Sequence, residues 1–132
     1  DLVYLDPPYV PRSDDNCYVK RYHFLEGLVD YWATEPVRYD TRVRKIPKKF
    51  TPFSYRRTAE AAFDRLFGMF PGSILVLSYS SNGFPDLERL VDLMKRHRRE
   101  IVVKRHDHRY HFGTHEKVKR ARVEEYLIVG LP

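Results

Sequence analysis

The sequence predicts an α/β fold, because short apolar strands alternate with amphipathic helices along its 132 residues. The apolar run at 2–5 stops at two prolines, which is typical of a parallel strand that is buried on both faces and ends there. Further apolar runs at 73–79 and 100–105 each follow a stretch with apolar residues at helical spacing. We therefore expect three parallel strands connected by helices, with the first strand in the middle of the sheet.

Three helices are predicted between these strands. The first covers about 22–33, where Trp32 is interpreted as a core residue packed against the sheet. The second covers 55–67, with Ser54 as its N-cap. The third has Pro85 in its first turn and ends in a basic last turn at Lys95 to Arg98.

Two connections and one further strand complete the predicted elements. A polar loop is expected at 10–20 and a fourth strand at 123–129. The turn at 80–83 follows the second strand and should face the end of the first. Ser80 and Asn82 are therefore candidates to bind a ligand, although an ordinary tight turn explains them equally well.

The motif Asp6-Pro7-Pro8-Tyr9 follows the first strand at its carboxyl end, where open α/β sheets bind ligands. The prolines stiffen the turn and leave the carbonyls of Asp6 and Pro7 without their usual ladder donors. Together with the Asp6 carboxylate, these acceptors suit a planar group that carries an amine, such as a nucleobase. Tyr9 would stack on the ring of that base.

This motif, which directly follows an apolar strand, resembles the catalytic motif of adenine-specific (N6) DNA methyltransferases. The stretches 77–83, 110–115 and 125–129 resemble those of the D12-class DNA adenine methylases within that group. The resemblance covers most of the chain. Related glutamine and RNA methyltransferases carry a similar motif with Asn in place of Asp.

The resemblance implies a Rossmann-like S-adenosylmethionine-dependent methyltransferase sheet whose last strand is antiparallel. It also implies methyl transfer to the N6 of an adenine flipped out of DNA, as in restriction-modification. Asp6, Pro7, Pro8 and Tyr9 would be the catalytic residues, with Asp6 also touching the cofactor and Tyr9 binding the base. Phe112 is a candidate for a second stacking surface, and hydrophobic packing under the final strands is the alternative.

The glycine-rich cofactor loop of that family is missing from the sequence, because no two of the six glycines are separated by a single residue. The family carries this loop on another strand of the sheet. We therefore expect 1–132 to be the catalytic, C-terminal part of a methyltransferase domain whose cofactor half lies upstream.

The formal net charge of +6 favours an anionic partner, and DNA fits the motif better than a membrane does. Cations cluster among aromatic residues in a predicted loop at 36–52. We expect them to contact DNA phosphates, with a solvated linker as the alternative. These candidate phosphate-binding residues are Arg42, Arg44, Lys45, Lys48 and Lys49.

The number and spacing of the cysteine and histidine residues indicate whether disulfides or metal sites are expected. The single Cys17 excludes an internal disulfide, and no apolar stretch has the length of a membrane span or signal segment. A cytoplasmic location is expected. The histidines near the end of the chain match no closed zinc pattern, so no metal is expected. They are His106, His108, His111 and His115, with Asp107 among them.

Two other functions remain open on the sequence alone. One is a methyltransferase that acts on RNA or on a protein amide. The other is a non-catalytic nucleic-acid binding module, which the basic loop by itself would allow.

Overall fold

The computed structural model describes the chain in several stretches. They are residues 1–10, 22, 24–25, 27–29, 33, 37–40, 42, 44, 47, 51–109 and 122–132. Within them, four strands form a sheet: β1 (Leu2–Leu5), β2 (Ile74–Ser80), β3 (Glu100–Arg109) and β4 (Arg122–Leu131). A 3-10 turn at Pro52–Ser54 leads into helix α1 (Arg56–Gly68), and helix α2 covers Leu87–Lys95.

The strand order in the sheet is β1-β2-β4-β3. β1 and β2 are parallel, with Leu5 opposite Leu77. β4 lies between β2 and β3 and is antiparallel to both. The predicted α/β class and the antiparallel last strand are confirmed. β1 with β2 is the one parallel pair in the described sheet, so the Rossmann-like assignment stays a prediction.

Helices α1 and α2 cover one face of the sheet and form the core with it. In α1 the buried residues Ala59, Phe63 and Phe67 recur every four residues, so they lie on one face of the helix. The fully buried side chains that meet between helices and strands are Phe63, Phe67, Leu75, Leu77, Tyr79, Leu90, Met94 and Ile128.

The opposite face of the sheet is open in the described part of the chain. Leu2 and Tyr4 are 62% and 59% exposed, whereas Val3 and Leu5 face the core. Successive strand residues point to opposite faces, and α1 and α2 cover only one of them. The prediction that β1 is buried on both faces was therefore wrong for this structure. β1 is an edge strand of the described sheet, and its predicted position in mid-sheet, which assumes further strands from an upstream half, stays a prediction.

Both described helices begin differently from the prediction. Ser54 lies in the 3-10 turn, and Tyr55 is the N-cap of α1 without a side-chain capping bond. Pro85 precedes α2, whose N-cap is Asp86. The Asp86 carboxylate accepts a hydrogen bond of 2.9 Å from the Arg89 N–H, which satisfies one of the free donors at the start of the helix.

The first predicted helix is partly described. The described residues between 22 and 29 are helical, and their apolar side chains are exposed, with Val29 the most accessible. Trp32 lies outside the described residues. β3 extends beyond the predicted 100–105 because it pairs continuously with β4 from Glu100 to Arg109.

At the amino ends of β1, β2 and β3, Arg98 is buried, with 4% of its surface exposed. Its guanidinium donates hydrogen bonds to the carbonyl oxygens of Ser73, His97 and Phe70. Burial lowers the pKa of Arg98 below its ordinary value. The sequence predicts Arg98 in the basic last turn of a helix. In the structure it lies after the end of α2 and bonds to backbone carbonyls at this end of the sheet.

Candidate active site at the carboxyl ends of β1 and β2

The two turns singled out in the sequence lie side by side. Because β1 and β2 are parallel neighbours, the chain leaves both strands at the same edge of the sheet. Asp6 to Tyr9 follow β1, and the turn after β2 is closed by a hydrogen bond of 2.9 Å from the Gly83 N–H to the Ser80 carbonyl.

The motif after β1 combines an accessible carboxylate with an anchored aromatic ring. Asp6 is exposed, whereas Pro7, Pro8 and Tyr9 are half-buried. The Tyr9 ring meets the ring of Tyr79 edge to face, with centroids 5.0 Å apart and an interplanar angle of 77°. This geometry is favourable for an aromatic pair, so the Tyr9 ring is held against Tyr79.

Tyr79 also joins the two turns through its hydroxyl group. The hydroxyl accepts a hydrogen bond of 3.1 Å from the Val10 N–H and donates one of 2.6 Å to the Phe84 carbonyl. Val10 is fully buried, and its carbonyl accepts a hydrogen bond of 2.9 Å from the Phe84 N–H. The predicted polar loop therefore does not begin at Val10, which forms an antiparallel bridge with Phe84.

The turn after β2 leaves no space for a side chain at Gly83. A Cβ there would lie 2.7 Å from Cε1 and 2.9 Å from Cζ of Tyr79, which is closer than carbon atoms can approach. The glycine therefore lets the turn pack directly on the Tyr79 ring.

Ser80 ends β2 with a buried hydroxyl. It is 1% exposed, and its Oγ has no hydrogen-bond partner in the described structure. Burying an unpaired hydroxyl is unfavourable, so a ligand that bonded to this oxygen would gain affinity. Asn82 is exposed in the turn.

The turn after β2 is also attached to the start of β4. The Ser81 N–H donates to the Glu124 carbonyl at 2.8 Å, and the Glu124 N–H donates to the Ser81 Oγ at 3.0 Å. Next to them, burial and then the negative charge of Glu124 raise the pKa of Tyr126. The β2 turn is thus held from two sides, by the Val10 segment and by β4.

Sequence comparison adds an independent observation. The chain is 30% identical over 96 residues, or 73% of its length, to the modification methylase LlaI of Lactococcus lactis subsp. lactis. It is 28% identical over 97 residues to the type II methyltransferase M.FokI of Planomicrobium okeanokoites. The homologues of this chain are type II DNA modification methylases.

The match covers a small part of these DNA methylases. The chain spans 14% of the length of each relative. No family model matches it, and no solved structure does.

The candidate DNA-contacting cations are described only in part. Arg42 and Arg44 are exposed, and the Arg44 guanidinium lies over the Tyr39 ring, 5.4 Å from its centroid. Nearby, Arg38 and Asp40 form an ion pair of 2.7 Å. The other three cations, Lys45, Lys48 and Lys49, and the stacking candidate Phe112 lie outside the described residues.

The described part of the chain has neither a cluster of potential metal ligands nor a helix that could span a membrane. His106 and Asp107 are exposed on β3, and no three potential metal ligands come together among the described residues. His111 and His115 lie outside them. None of the described helices combines the length and the apolar character needed to cross a membrane.

Tyr79 is the residue that the sequence prediction missed. The sequence places it at the end of the predicted strand at 73–79 and within the stretch 77–83 that resembles the D12-class methylases, but it assigns this residue no role of its own. One signal was present, because a tyrosine at an inward position of an apolar strand must find partners for its hydroxyl when buried. Which partners it finds depends on the tertiary fold, since Val10 is 69 residues away in the chain.

Proposed function

We propose that this chain is the catalytic part of an enzyme with a Rossmann-like sheet that transfers a methyl group from S-adenosylmethionine to the N6 of a flipped adenine in DNA. The observation that carries the proposal is the Asp6-Pro7-Pro8-Tyr9 turn at the carboxyl end of β1, beside the turn after β2. The homology to DNA modification methylases supports the same reaction class.

Asp6 and Pro7 would act on the adenine amine. This amine is a poor nucleophile because its lone pair is delocalised into the ring. Hydrogen bonds from its two N–H groups to the Asp6 carboxylate and the Pro7 carbonyl would draw the nitrogen toward tetrahedral geometry and fix its direction. Such positioning supplies a large part of the rate in reactions of this kind. The proton released by the methylated nitrogen would leave through the exposed Asp6 carboxylate to water.

Two residues fit a role in holding the cofactor. S-adenosylmethionine, when bound, supplies a methyl group on a positively charged sulfur that keeps the electron pair of the broken bond. The Asp6 carboxylate is exposed at the carboxyl end of β1. The buried Ser80 hydroxyl, at the end of β2, has no partner in the described structure. Both can bond polar groups of a ligand.

Tyr9 would receive the extruded base. An adenine inside a duplex is out of reach of these groups, so the base must leave the stack, which requires a few kcal/mol. Stacking on an aromatic side chain returns about 1 to 3 kcal/mol per base. Tyr79 packs against the Tyr9 ring, and we propose that the base stacks on the Tyr9 ring held in this way.

A methyl-transfer assay tests the proposal. The product of the complete open reading frame is incubated with radiolabelled S-adenosylmethionine and, in parallel, with mixed-sequence DNA, RNA and protein. We expect label in DNA, recovered as N6-methyladenine after enzymatic digestion. Label in cytosine, in RNA or in protein would contradict the proposal. Absence of transfer to all three, with DNA still bound, would favour a non-catalytic binding module.

Salt dependence tests the proposed DNA contacts. Replacing both Arg42 and Arg44 with Ala should weaken binding to all DNA sequences alike and reduce the slope of log K against log salt by about two units. Arg38→Ala is the matched control. Arg38 is already paired with Asp40, so its replacement should leave the slope nearly unchanged. An unchanged slope in the double variant would assign Arg42 and Arg44 to a solvated linker.

A further inference from the structure

We infer that Tyr79 is a positioning residue that holds Tyr9 in the orientation needed to capture the target base. The inference rests on the proposed function, because it gives Tyr79 a role in the base-capture step. It concerns a residue outside the Asp6 to Tyr9 motif, on the neighbouring strand β2.

The contacts of Tyr79 converge on the segment that carries Tyr9. Its ring packs against the Tyr9 ring at 5.0 Å, and its hydroxyl accepts from the N–H of Val10, the next residue, at 3.1 Å. One side chain therefore contacts both the ring of Tyr9 and the backbone just after it. Together, the two contacts limit rotation of the Tyr9 side chain and movement of its backbone.

Tyr79 is itself held in place. It is fully buried, and the Phe63 ring of α1 also meets it edge to face, at 5.4 Å and 85°. Its hydroxyl donates to the Phe84 carbonyl at 2.6 Å, and the turn at Gly83 packs on its ring. Tyr79 is thus fixed by contacts with the core, and its own contacts restrict the movement of Tyr9 and Val10.

Packing of the Tyr79 ring in the core does not by itself require the hydroxyl group of this residue. A phenylalanine would keep the packing against Phe63 and the ring contact with Tyr9, but it would leave the Val10 N–H and the Phe84 carbonyl without this partner. The hydroxyl is the group that connects the segment after the catalytic motif with the turn after β2. This makes Tyr79→Phe a selective test, because it removes the connection and keeps the ring.

The experiment measures base capture separately from stability. A duplex that the wild-type enzyme methylates is prepared with 2-aminopurine at the target adenine, and its emission is recorded on binding. Turnover is measured with the unmodified duplex, and thermal unfolding reports the stability of each variant. We expect Tyr79→Phe to reduce the emission change and to lower kcat/KM for DNA by about tenfold, the scale of one hydrogen bond, with cofactor affinity unchanged.

Tyr126→Phe is the matched control. Tyr126 lies directly opposite Tyr79 in the sheet and is also buried, but its hydroxyl bonds to Glu124 at 3.3 Å instead of to the Val10 segment. Removing this hydroxyl should leave the 2-aminopurine emission change as in the wild type.

A double-mutant cycle with Tyr9→Ala decides whether Tyr79 acts through Tyr9. If it does, Tyr79→Phe should change base capture little in the Tyr9→Ala background, so that the two effects do not multiply. The inference is overturned if the effects multiply, or if Tyr79→Phe matches Tyr126→Phe in emission and kcat/KM. A wild-type enzyme that methylates DNA at another base, or not at all, would instead overturn the proposed function and this inference with it.

Discussion

The amino and carboxyl ends of β1, β2 and β3 differ in how the polar groups near them are paired. At the amino ends, the buried Arg98 guanidinium donates to three carbonyl oxygens. At the carboxyl ends, the buried Ser80 hydroxyl has no partner in the described structure, and the Asp6 carboxylate is exposed. Buried polar groups are normally paired, so the amino end has the polar contacts expected of a stable fold, and the carboxyl end is the one that we propose binds a ligand.

The largest effect on stability is expected at the amino ends. Arg98→Met keeps a long apolar side chain but removes the guanidinium, which leaves the carbonyls of Ser73 and Phe70 without their charged donor. We expect the free energy of unfolding, measured by urea denaturation, to fall by about 3 kcal/mol.

Arg99→Met is the control for this change. Arg99 is the next residue and is exposed, so its replacement should shift the free energy of unfolding by less than about 0.5 kcal/mol. Equal losses in the two variants would remove the distinction between the two ends.

The largest effect on activity is expected at the carboxyl ends. Asp6→Asn keeps the size of the side chain but replaces one acceptor oxygen with an amide donor, which faces the adenine amine unfavourably. Methyl transfer should fall by about a hundredfold or more, while the unfolding midpoint and DNA affinity change little. Cofactor affinity is measured in the same variant, because Asp6 is also proposed to contact the cofactor. Near-normal methylation by folded Asp6→Asn would contradict the mechanism.

Ser80→Ala should affect the stability of the fold and the binding of a ligand in opposite directions. Removing a buried hydroxyl that has no partner should raise the free energy of unfolding by up to about 1 kcal/mol. Cofactor or DNA affinity should fall several-fold if the hydroxyl bonds a ligand. Ser78→Ala, on the same strand and half-buried, is the control. A loss of stability in Ser80→Ala would mean that the hydroxyl already contributes to the fold.

The smallest effect is expected from an ion cluster near Arg98. His97 Nε2 lies 3.0 Å from Asp64 Oδ1, and this hydrogen bond, followed by the charge of Arg96, lowers the pKa of the Asp64 carboxyl. A carboxyl with a lowered folded-state pKa stabilises the fold above its unfolded pKa of about 3.9, and the contribution disappears as pH falls through the lower folded value.

Urea denaturation of wild type and Asp64→Asn between pH 3 and 7 checks this expectation. The difference in free energy of unfolding should stay under about 1 kcal/mol, since the pair is near the surface, and should shrink below about pH 4. Asp92→Asn, an exposed position on α2, is the control. A difference that grows as the pH falls would contradict the assignment.

The order of strands and helices was predictable from sequence because it follows from local periodicity. Ile74–Ser80 lies within one residue of the predicted strand at 73–79, and a helix follows it at Leu87–Lys95 as predicted, although it is shorter at both ends. Burial of β1 was not predictable, because an apolar run does not reveal whether a second layer covers Leu2 and Tyr4. The prediction of Ser54 as N-cap failed because a hydroxyl residue before a helix can equally join a 3-10 turn, as it does here.

The candidate site was predictable where it is contiguous in the chain. The Asp6 motif and the turn after β2 could each be read from neighbouring residues, and the parallel strand pair brings them together. The connection made by Tyr79 could not be read in this way. It depends on Val10 and Phe84 reaching the same hydroxyl, which is a result of the tertiary structure.

The close packing of Gly83 on Tyr79 has a consequence for how the chain tolerates variation. Gly72 has open space around the position of a Cβ, whereas a Cβ at Gly83 would overlap the Tyr79 ring. In a library with every amino acid at each position, position 72 should accept many replacements and position 83 almost none, although both lie in turns. A turn glycine that does no chemistry would then be as intolerant as a catalytic residue, because it is part of the surface on which Tyr79 rests.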